Sequence, residues 1–67
     1  MHYEFRVEGI LSDEARAALS GMRITVLSPD TVIDGEVLDD SHLHGLIAQL
    51  DALGLTLISV LPYPGAE

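Results

Sequence analysis

The chain has 67 residues, of which 48% are hydrophobic and 21% charged, and it contains no cysteine. The composition and length indicate one small globular domain, residues 1–67, and exclude a disordered chain. The absence of cysteine excludes a disulfide-stapled miniprotein and a thiolate metal site. The formal net charge is −8, with only three basic residues. Because nucleic-acid affinity depends on cations that neutralise phosphates, we expect neither DNA nor RNA nor an anionic membrane surface as a partner.

The first two predicted elements are a strand and a short helix. Residues His2–Glu8 alternate between apolar and polar side chains, which is typical of a strand with one buried face. The apolar side chains of this strand are Tyr3, Phe5 and Val7. Ser12 suits the N-terminal cap of a helix, and Gly21 suits its C-terminal end. The narrow apolar stripe of this helix consists of Ala15, Ala18 and Leu19.

The middle of the chain predicts a β-hairpin. Met22–Leu27 and Thr31–Val37 are both rich in β-forming residues, and Ser28-Pro29-Asp30 between them has the composition of a turn. Gly35, inside the second of these strands, indicates a weak point or the close approach of another group.

The last part of the chain predicts a longer helix and a fourth strand. Several candidate caps precede the helix, at Asp39-Asp40-Ser41, and Gly54 ends it. Five apolar residues follow the helical period of 3.6: Leu43, Leu46, Ile47, Leu50 and Leu53. Leu55–Leu61 is the fourth strand, and residues 62–67 form a C-terminal tail.

The order β-α-β-β-α-β predicts an α+β fold of the ferredoxin-like kind. Right-handed crossovers in both halves of the chain produce a four-stranded antiparallel sheet with strand order 4-1-3-2. Both helices then cover the same face of this sheet. The other face is left open to solvent or to a partner.

The open face of the predicted sheet holds several candidate ligand-binding residues. The side chains expected on it from the central first strand are His2, Glu4, Arg6 and Glu8, and those from the neighbouring third strand are Val32, Asp34 and Glu36. The candidate ligand-binding residues among them are Glu4, Arg6, Asp34 and Glu36. Arg6 therefore lies among carboxylates that are close enough for cross-strand pairing. The simpler interpretation is a solvated face on which Arg6 relieves repulsion between acids. The functional interpretation is a cation or amine site, or a polar dimer seam.

The fourth strand predicts self-association. Three odd-numbered positions of Leu55–Leu61 are leucine, and the even-numbered positions include Ile58 and Val60, so both faces are partly apolar. The topology nevertheless places this strand at the edge of the sheet, where apolar surface needs a cover. Small domains often gain stability by oligomerisation, so we expect a homo-oligomer unless the tail folds back over the strand. The expected interface residues are Ile58, Val60, Leu61 and Val32.

Two histidines near the start of the second helix are candidate ligand-binding residues. His42 and His44 follow two acids, and these residue types bind first-row metals. However, residues at i and i+2 do not share a helix face, and a helical zinc pair uses the spacing i, i+4. The sequence also has no nucleophile elbow and no glycine-rich phosphate loop. We therefore assign no catalytic residue, no metal and no cofactor.

Two stretches, Tyr3–Gly9 and His42–Val60, resemble short stand-alone bacterial proteins that are uncharacterised. This resemblance covers most of the chain and implies no known activity. More distantly, the element order is similar to ACT-type regulatory domains, which bind amino acids and other small molecules at subunit interfaces. In those domains an acid followed by Pro-Gly often stands after the first strand, whereas Glu8–Ser12 here contains no proline.

Taken together, these features favour a non-catalytic binding or regulatory module that forms a homo-oligomer. One alternative is an accessory subunit that docks on a larger protein through the same edge. Another is a small enzyme whose site forms between subunits from His42, His44 and nearby acids. A small molecule is a further expected partner. The N-terminus lacks a signal peptide's basic start and apolar block, so we expect a cytoplasmic protein.

Overall fold

A computed structural model describes residues 1–63 of the chain. Its elements are β1 (His2–Val7), α1 (Asp13–Ala18), β2 (Arg23–Val26), β3 (Thr31–Glu36), α2 (Asp40–Ala52) and β4 (Leu57–Pro62). The four strands form one antiparallel sheet with the order β2-β3-β1-β4. This is the predicted order read from the opposite edge, so the predicted fold class and topology are confirmed.

The hydrophobic core lies between one face of the sheet and both helices. It is a single cluster of buried side chains that draws on β1, β3, both helices and the loops. Its members are Phe5, Val7, Leu11, Ala15, Leu19, Ile33, Val37, Leu46 and Leu50. The predicted apolar stripe of α2 is confirmed, because Leu43, Ile47 and Leu53 pack against this cluster. Ala18 is exposed instead, because the six-residue helix α1 directs only Ala15 and Leu19, four residues apart, at the sheet.

Side-chain caps fix the start of each helix. The Ser12 hydroxyl accepts a hydrogen bond from the backbone N–H of Ala15 at 3.1 Å, which confirms the predicted cap of α1. Of the three candidate caps before α2, Asp39 is the one used, because its carboxylate accepts from the His42 N–H at 2.9 Å. Each contact satisfies one backbone donor that the helix itself leaves without a partner.

The predicted hairpin joins β2 and β3. Its turn is closed by the Leu27 N–H, which donates to the Asp30 carbonyl at 2.8 Å. Of the two interpretations of Gly35, close approach describes the structure, because a Cβ at this position would lie 3.2 Å from Cε of Met22. A side chain at position 35 would therefore require the Met22 side chain, which packs against the core, to shift slightly.

Strand β4 contains a β-bulge that the sequence pattern does not reveal. Arg6 of β1 pairs with Ser59, but the next residue, Val7, pairs with Leu57, so Ile58 is an extra residue in the ladder. The bulge brings Leu57 and Val60 to the same side, where both pack against the core. The prediction that Leu57 and Val60 lie on opposite faces was therefore wrong, whereas Ile58 and Leu61 remain exposed, so the strand still carries apolar side chains both toward and away from the core.

The chain remains paired beyond the predicted end of the fourth strand. Pro62 belongs to β4, and the Tyr63 N–H donates to the His2 carbonyl at 2.8 Å. Pro62 and Tyr63 therefore do not belong to a tail, and the rest of the predicted tail, residues 64–67, lies outside the described part of the chain.

Candidate functional site

The register of the sheet aligns charged side chains in a row across its open face. Arg23 of β2 lies opposite Asp34 of β3, and Asp34 lies opposite Glu4 of β1. Leu61 of β4 completes the row beside Glu4. Alternation along each strand directs these side chains away from the helices, so that this face carries most of the polar chemistry of the sheet.

Asp34 is the buried centre of this face. Only 5% of its side-chain surface is exposed, and His2 Nε2 donates to Oδ1 at 2.9 Å. The Arg23 Nε–H lies 3.1 Å from Oδ1 and 3.3 Å from Oδ2. Because the desolvated carboxylate receives these charge-assisted hydrogen bonds, its burial is compensated. Among residues 1–63, no buried side-chain nitrogen or oxygen lacks a hydrogen-bond partner.

Tyr63 covers this ionic group from the side of β4. Its ring centroid lies 4.6 Å from that of His2, with the two planes tilted by 47°. The guanidinium carbon of Arg23 lies 5.8 Å from the same centroid, within cation–π range. We call His2, Arg23, Asp34 and Tyr63 the open-face cluster. The polar groups of this cluster bind one another, so the cluster covers this part of the sheet surface.

Arg6 does not lie in the arrangement that the sequence predicts. Its Nη1 atom is 3.9 Å from Oδ2 of Asp30, and Arg23 takes the place beside Asp34 instead. The reason is the hairpin register, which brings β2 directly opposite Asp34. Glu4 faces Asp34 across the strands but forms no ion pair within residues 1–63.

Glu36 is an exposed member of the same face. The Met1 ammonium lies 2.8 Å from its Oε2 atom, and this positive charge lowers the pKa of the Glu36 carboxyl. His2 Nδ1 lies 3.8 Å from Oε1. His2 is therefore flanked by two carboxylates, of which only that of Asp34 is within hydrogen-bond distance.

Sequence reasoning placed His2 on this face without assigning it a role, and it missed Arg23 and Tyr63 as members of the site. The predicted turn Ser28-Pro29-Asp30 is centred on Pro29, and this symmetry places Asp34 opposite Ile24. The observed register is centred between Ser28 and Pro29 and places Asp34 opposite Arg23 instead. No local signal identified Tyr63 either, because its position depends on how far β4 continues beside β1.

The two histidines of α2 have different surroundings, as their spacing predicts. The Nδ1 atom of His42 accepts a hydrogen bond from the Leu38 N–H at 2.9 Å, and the His42 N–H donates to Asp39. The Asp39 carboxylate thus caps the helix, and the His42 ring binds the backbone of the residue before that cap. His44 is exposed on another side of the helix. Within the described residues, no three His, Asp or Glu side chains are grouped so that they could hold a metal ion.

A concave surface lies between α2 and the start of β4. This groove has a volume of about 590 Å³. Leu55, Thr56 and Leu57 form one wall, and α2 forms the other. We call this feature the α2 groove. Its helical wall consists of His44, Ile47, Ala48 and Asp51, which share one face because they are spaced by three, four and seven residues.

The free edge of the sheet at β4 is uncharged and partly apolar. Within the described residues 1–63, strand β4 has a neighbour on one side only, and Leu57–Pro62 contains no charged residue. Ile58 and Leu61 remain 49% and 53% exposed. The other expected interface residues are less accessible: Val32 is buried, and Val60 packs against the core.

Neither helix of the described chain combines the length and the apolar character that crossing a bilayer requires. Residues 2–61 match the model of a family described as a domain of unknown function (DUF8691). No curated protein and no solved structure matches the chain. The comparisons therefore agree with the resemblance to uncharacterised short proteins and show no link to ACT-type domains.

Proposed function

This chain belongs to the family described as a domain of unknown function (DUF8691), and we propose that it is a non-catalytic binding module that acts as a homo-oligomer assembled through strand β4. The observation that carries this proposal is the edge of β4, which has no neighbouring strand within residues 1–63 and carries two half-exposed apolar side chains, Ile58 and Leu61. The bulge at Ile58 and the missing N–H of Pro62 reduce the number of backbone hydrogen bonds that this edge can form, but its apolar side chains favour pairing with a second strand.

The opposite edge of the sheet is less suited to this role. Strand β2 has four residues and carries Arg23, whereas β4 has six residues and no charge. A charged side chain on an edge strand opposes strand addition. Pairing β4 with its own copy in antiparallel orientation would close a symmetric dimer and continue the sheet across the two subunits. It would also cover Ile58 and Leu61 in each copy.

The chemistry of the polar residues supports binding rather than catalysis. The groups of the open-face cluster satisfy one another, and His42 is engaged in the cap of α2. His44 lies in the α2 groove beside mostly apolar side chains. The predicted enzymatic alternative needs His42 and His44 to act together, and they line different surfaces of the protein.

The proposal is tested by the mass of the protein in solution. We expect the wild-type chain to be a dimer by light scattering, and Ile58→Glu and Leu61→Glu to shift it to the monomer, because each buries a carboxylate at the paired edge. Ile10→Glu and Leu38→Glu are matched controls, since both side chains are exposed but lie away from β4. These controls should leave the mass unchanged.

Val60 is not a suitable test position, although it was an expected interface residue. Because it packs against the core, a charge there would unfold the protein whether or not a dimer forms. A wild-type monomer, or equal effects of the edge and control substitutions, would contradict the proposed assembly. A monomer would favour the accessory-subunit alternative, in which the same edge docks on a larger protein.

A small molecule bound at the subunit interface, as in ACT-type domains, is an extension of this proposal. Native mass spectrometry of the purified protein without added ligand reports it directly. A mass in excess of the dimer would identify the class of compound that is retained.

A further inference from the structure

We propose that the α2 groove is occupied by helix α2 of a second copy, so that the dimer interface joins the β4 edge to a self-complementary helix face. This inference rests on the proposed assembly through β4. It adds a second contact surface and names the residues that meet there.

The position of α2 makes a second copy the natural occupant. On one side, α2 contacts α1, where Gln49 Nε2 donates to the Ala18 carbonyl at 3.2 Å. On the other side it borders the α2 groove, next to the start of the edge strand β4. Paired strands lie about 4.8 Å apart, and packed helices lie about 8–10 Å apart. Continuing the sheet from β4 into its own copy therefore brings the two α2 helices side by side on one face.

The helical wall of the groove is symmetric about its middle. Two antiparallel helices related by a two-fold axis align so that positions equidistant from the centre face each other. With the centre between Ile47 and Ala48, Ile47 faces Ala48 of the partner subunit. His44 then faces Asp51 of the partner subunit. A large apolar side chain meets a small one and an imidazole meets a carboxylate, and each contact occurs twice.

The charged groups of the α2 groove are complementary between two copies, although the net charges of the copies repel. Each chain carries a net charge of −8, so two copies repel unless the contact itself is complementary. In the described residues no Lys or Arg lines the α2 groove, and Asp51 forms no ion pair there. His44 of a second copy would supply a cation when its imidazole is protonated. A contact through the open sheet face would instead oppose acids such as Glu4 and Glu36 to an equally acidic surface.

Exchanging the two charges tests this pairing. His44→Asp places a carboxylate opposite Asp51 of the partner subunit, and Asp51→Lys places an ammonium opposite His44 of the partner subunit. We expect each single variant to raise the dimer Kd about tenfold at pH 6. The double variant His44→Asp/Asp51→Lys restores opposite charges at both contacts. Its Kd should return to within about threefold of the wild-type value.

The Asp51→Lys variant also separates this pairing from general repulsion. It reduces the net negative charge of each chain by two, which by itself should strengthen association. Asp13→Lys on α1 makes the same change in net charge at an exposed position away from the groove, and should not raise the Kd. Because His44 and Asp51 are both exposed, none of these variants should alter the unfolding midpoint of the monomer.

The outcomes distinguish this inference from the assembly on which it rests. A wild-type monomer would overturn both. A wild-type dimer that Ile58→Glu dissociates, but whose Kd is unchanged by His44→Asp and Asp51→Lys, would retain assembly through β4 and overturn the helix contact. Single variants that weaken the dimer without recovery in the double variant would likewise overturn the proposed pairing.

Discussion

Replacing Asp34 with asparagine should destabilise the fold, because Asp34 holds the open-face cluster together. Its carboxylate accepts from His2 Nε2 at 2.9 Å and from Arg23 Nε at 3.1 and 3.3 Å. Asparagine retains one acceptor oxygen and turns an amide donor toward one of these donors. The substitution therefore loses at least one hydrogen bond and removes the negative charge that Arg23 faces.

The size of the effect follows from the burial of each partner. A buried hydrogen bond to a charged group contributes about 1.5–3 kcal/mol, and the Asp34 side chain is only 5% exposed. The Arg23 side chain is 62% exposed, so solvent screens its contribution to less than about 1 kcal/mol. We therefore expect a loss of about 2–3 kcal/mol in the free energy of unfolding. For a domain of this size, that lowers the Tm by about 10 °C or more.

Urea denaturation followed by circular dichroism measures this loss, with Glu36→Gln as the control. Glu36 is on the same strand and face but is exposed, so solvent screens its contact with the Met1 ammonium and its replacement should lower the midpoint only slightly at neutral pH. A double-mutant cycle with Arg23→Gln tests the mechanism, because Asp34→Asn should cost less once Arg23 is absent. The reasoning would be refuted if Asp34→Asn were no more destabilising than Glu36→Gln, or if its effect were the same with and without Arg23.

Two further predictions concern the cap of α2 and the acid range. Asp39→Ala should lower stability by about 1 kcal/mol in urea denaturation, because it removes the side-chain acceptor of the His42 N–H. Ser41→Ala should change little, and equal losses would contradict the assignment of the cap. The pKa of Glu36 is lower in the folded protein than its ordinary value of 4.5, so the ionised carboxylate stabilises the fold. This contribution is fully present above pH 4.5 and is lost as the pH falls through the lowered pKa. Thermal melts across this range should show a shallower acid decline for Glu36→Gln, and superimposable curves would argue against the contact with the Met1 ammonium.

The open-face cluster and the proposed interface occupy different parts of the molecule. His2, Arg23 and Tyr63 surround Asp34 on the sheet face away from the helices. The proposed contacts lie at the β4 edge and along α2. Variants of the cluster should therefore change the stability of the monomer, and variants of the edge should change association, which allows the two roles to be measured independently.

The sequence by itself determined the elements, their order and the fold class. Alternation in β1, the helical period of α2 and the turn residues between β2 and β3 are local patterns, and each is produced by neighbours along the chain. Crossover handedness then leaves few topologies for the order β-α-β-β-α-β. The cap at Ser12 was predictable for the same reason, since it depends on a short stretch of chain. The sequence singled out Gly35 as a glycine inside a strand, but only the structure shows that the group beside it is Met22.

Only the tertiary structure decided which side chains meet. The bulge at Ile58 turns Val60 toward the core, and no local pattern announces an extra residue in a ladder. The hairpin register places Arg23, and not Arg6, beside Asp34. Continued pairing beyond Pro62 places the Tyr63 ring against His2. These contacts depend on the register between strands that are distant in sequence, and a shift of one residue would direct every side chain to the opposite face.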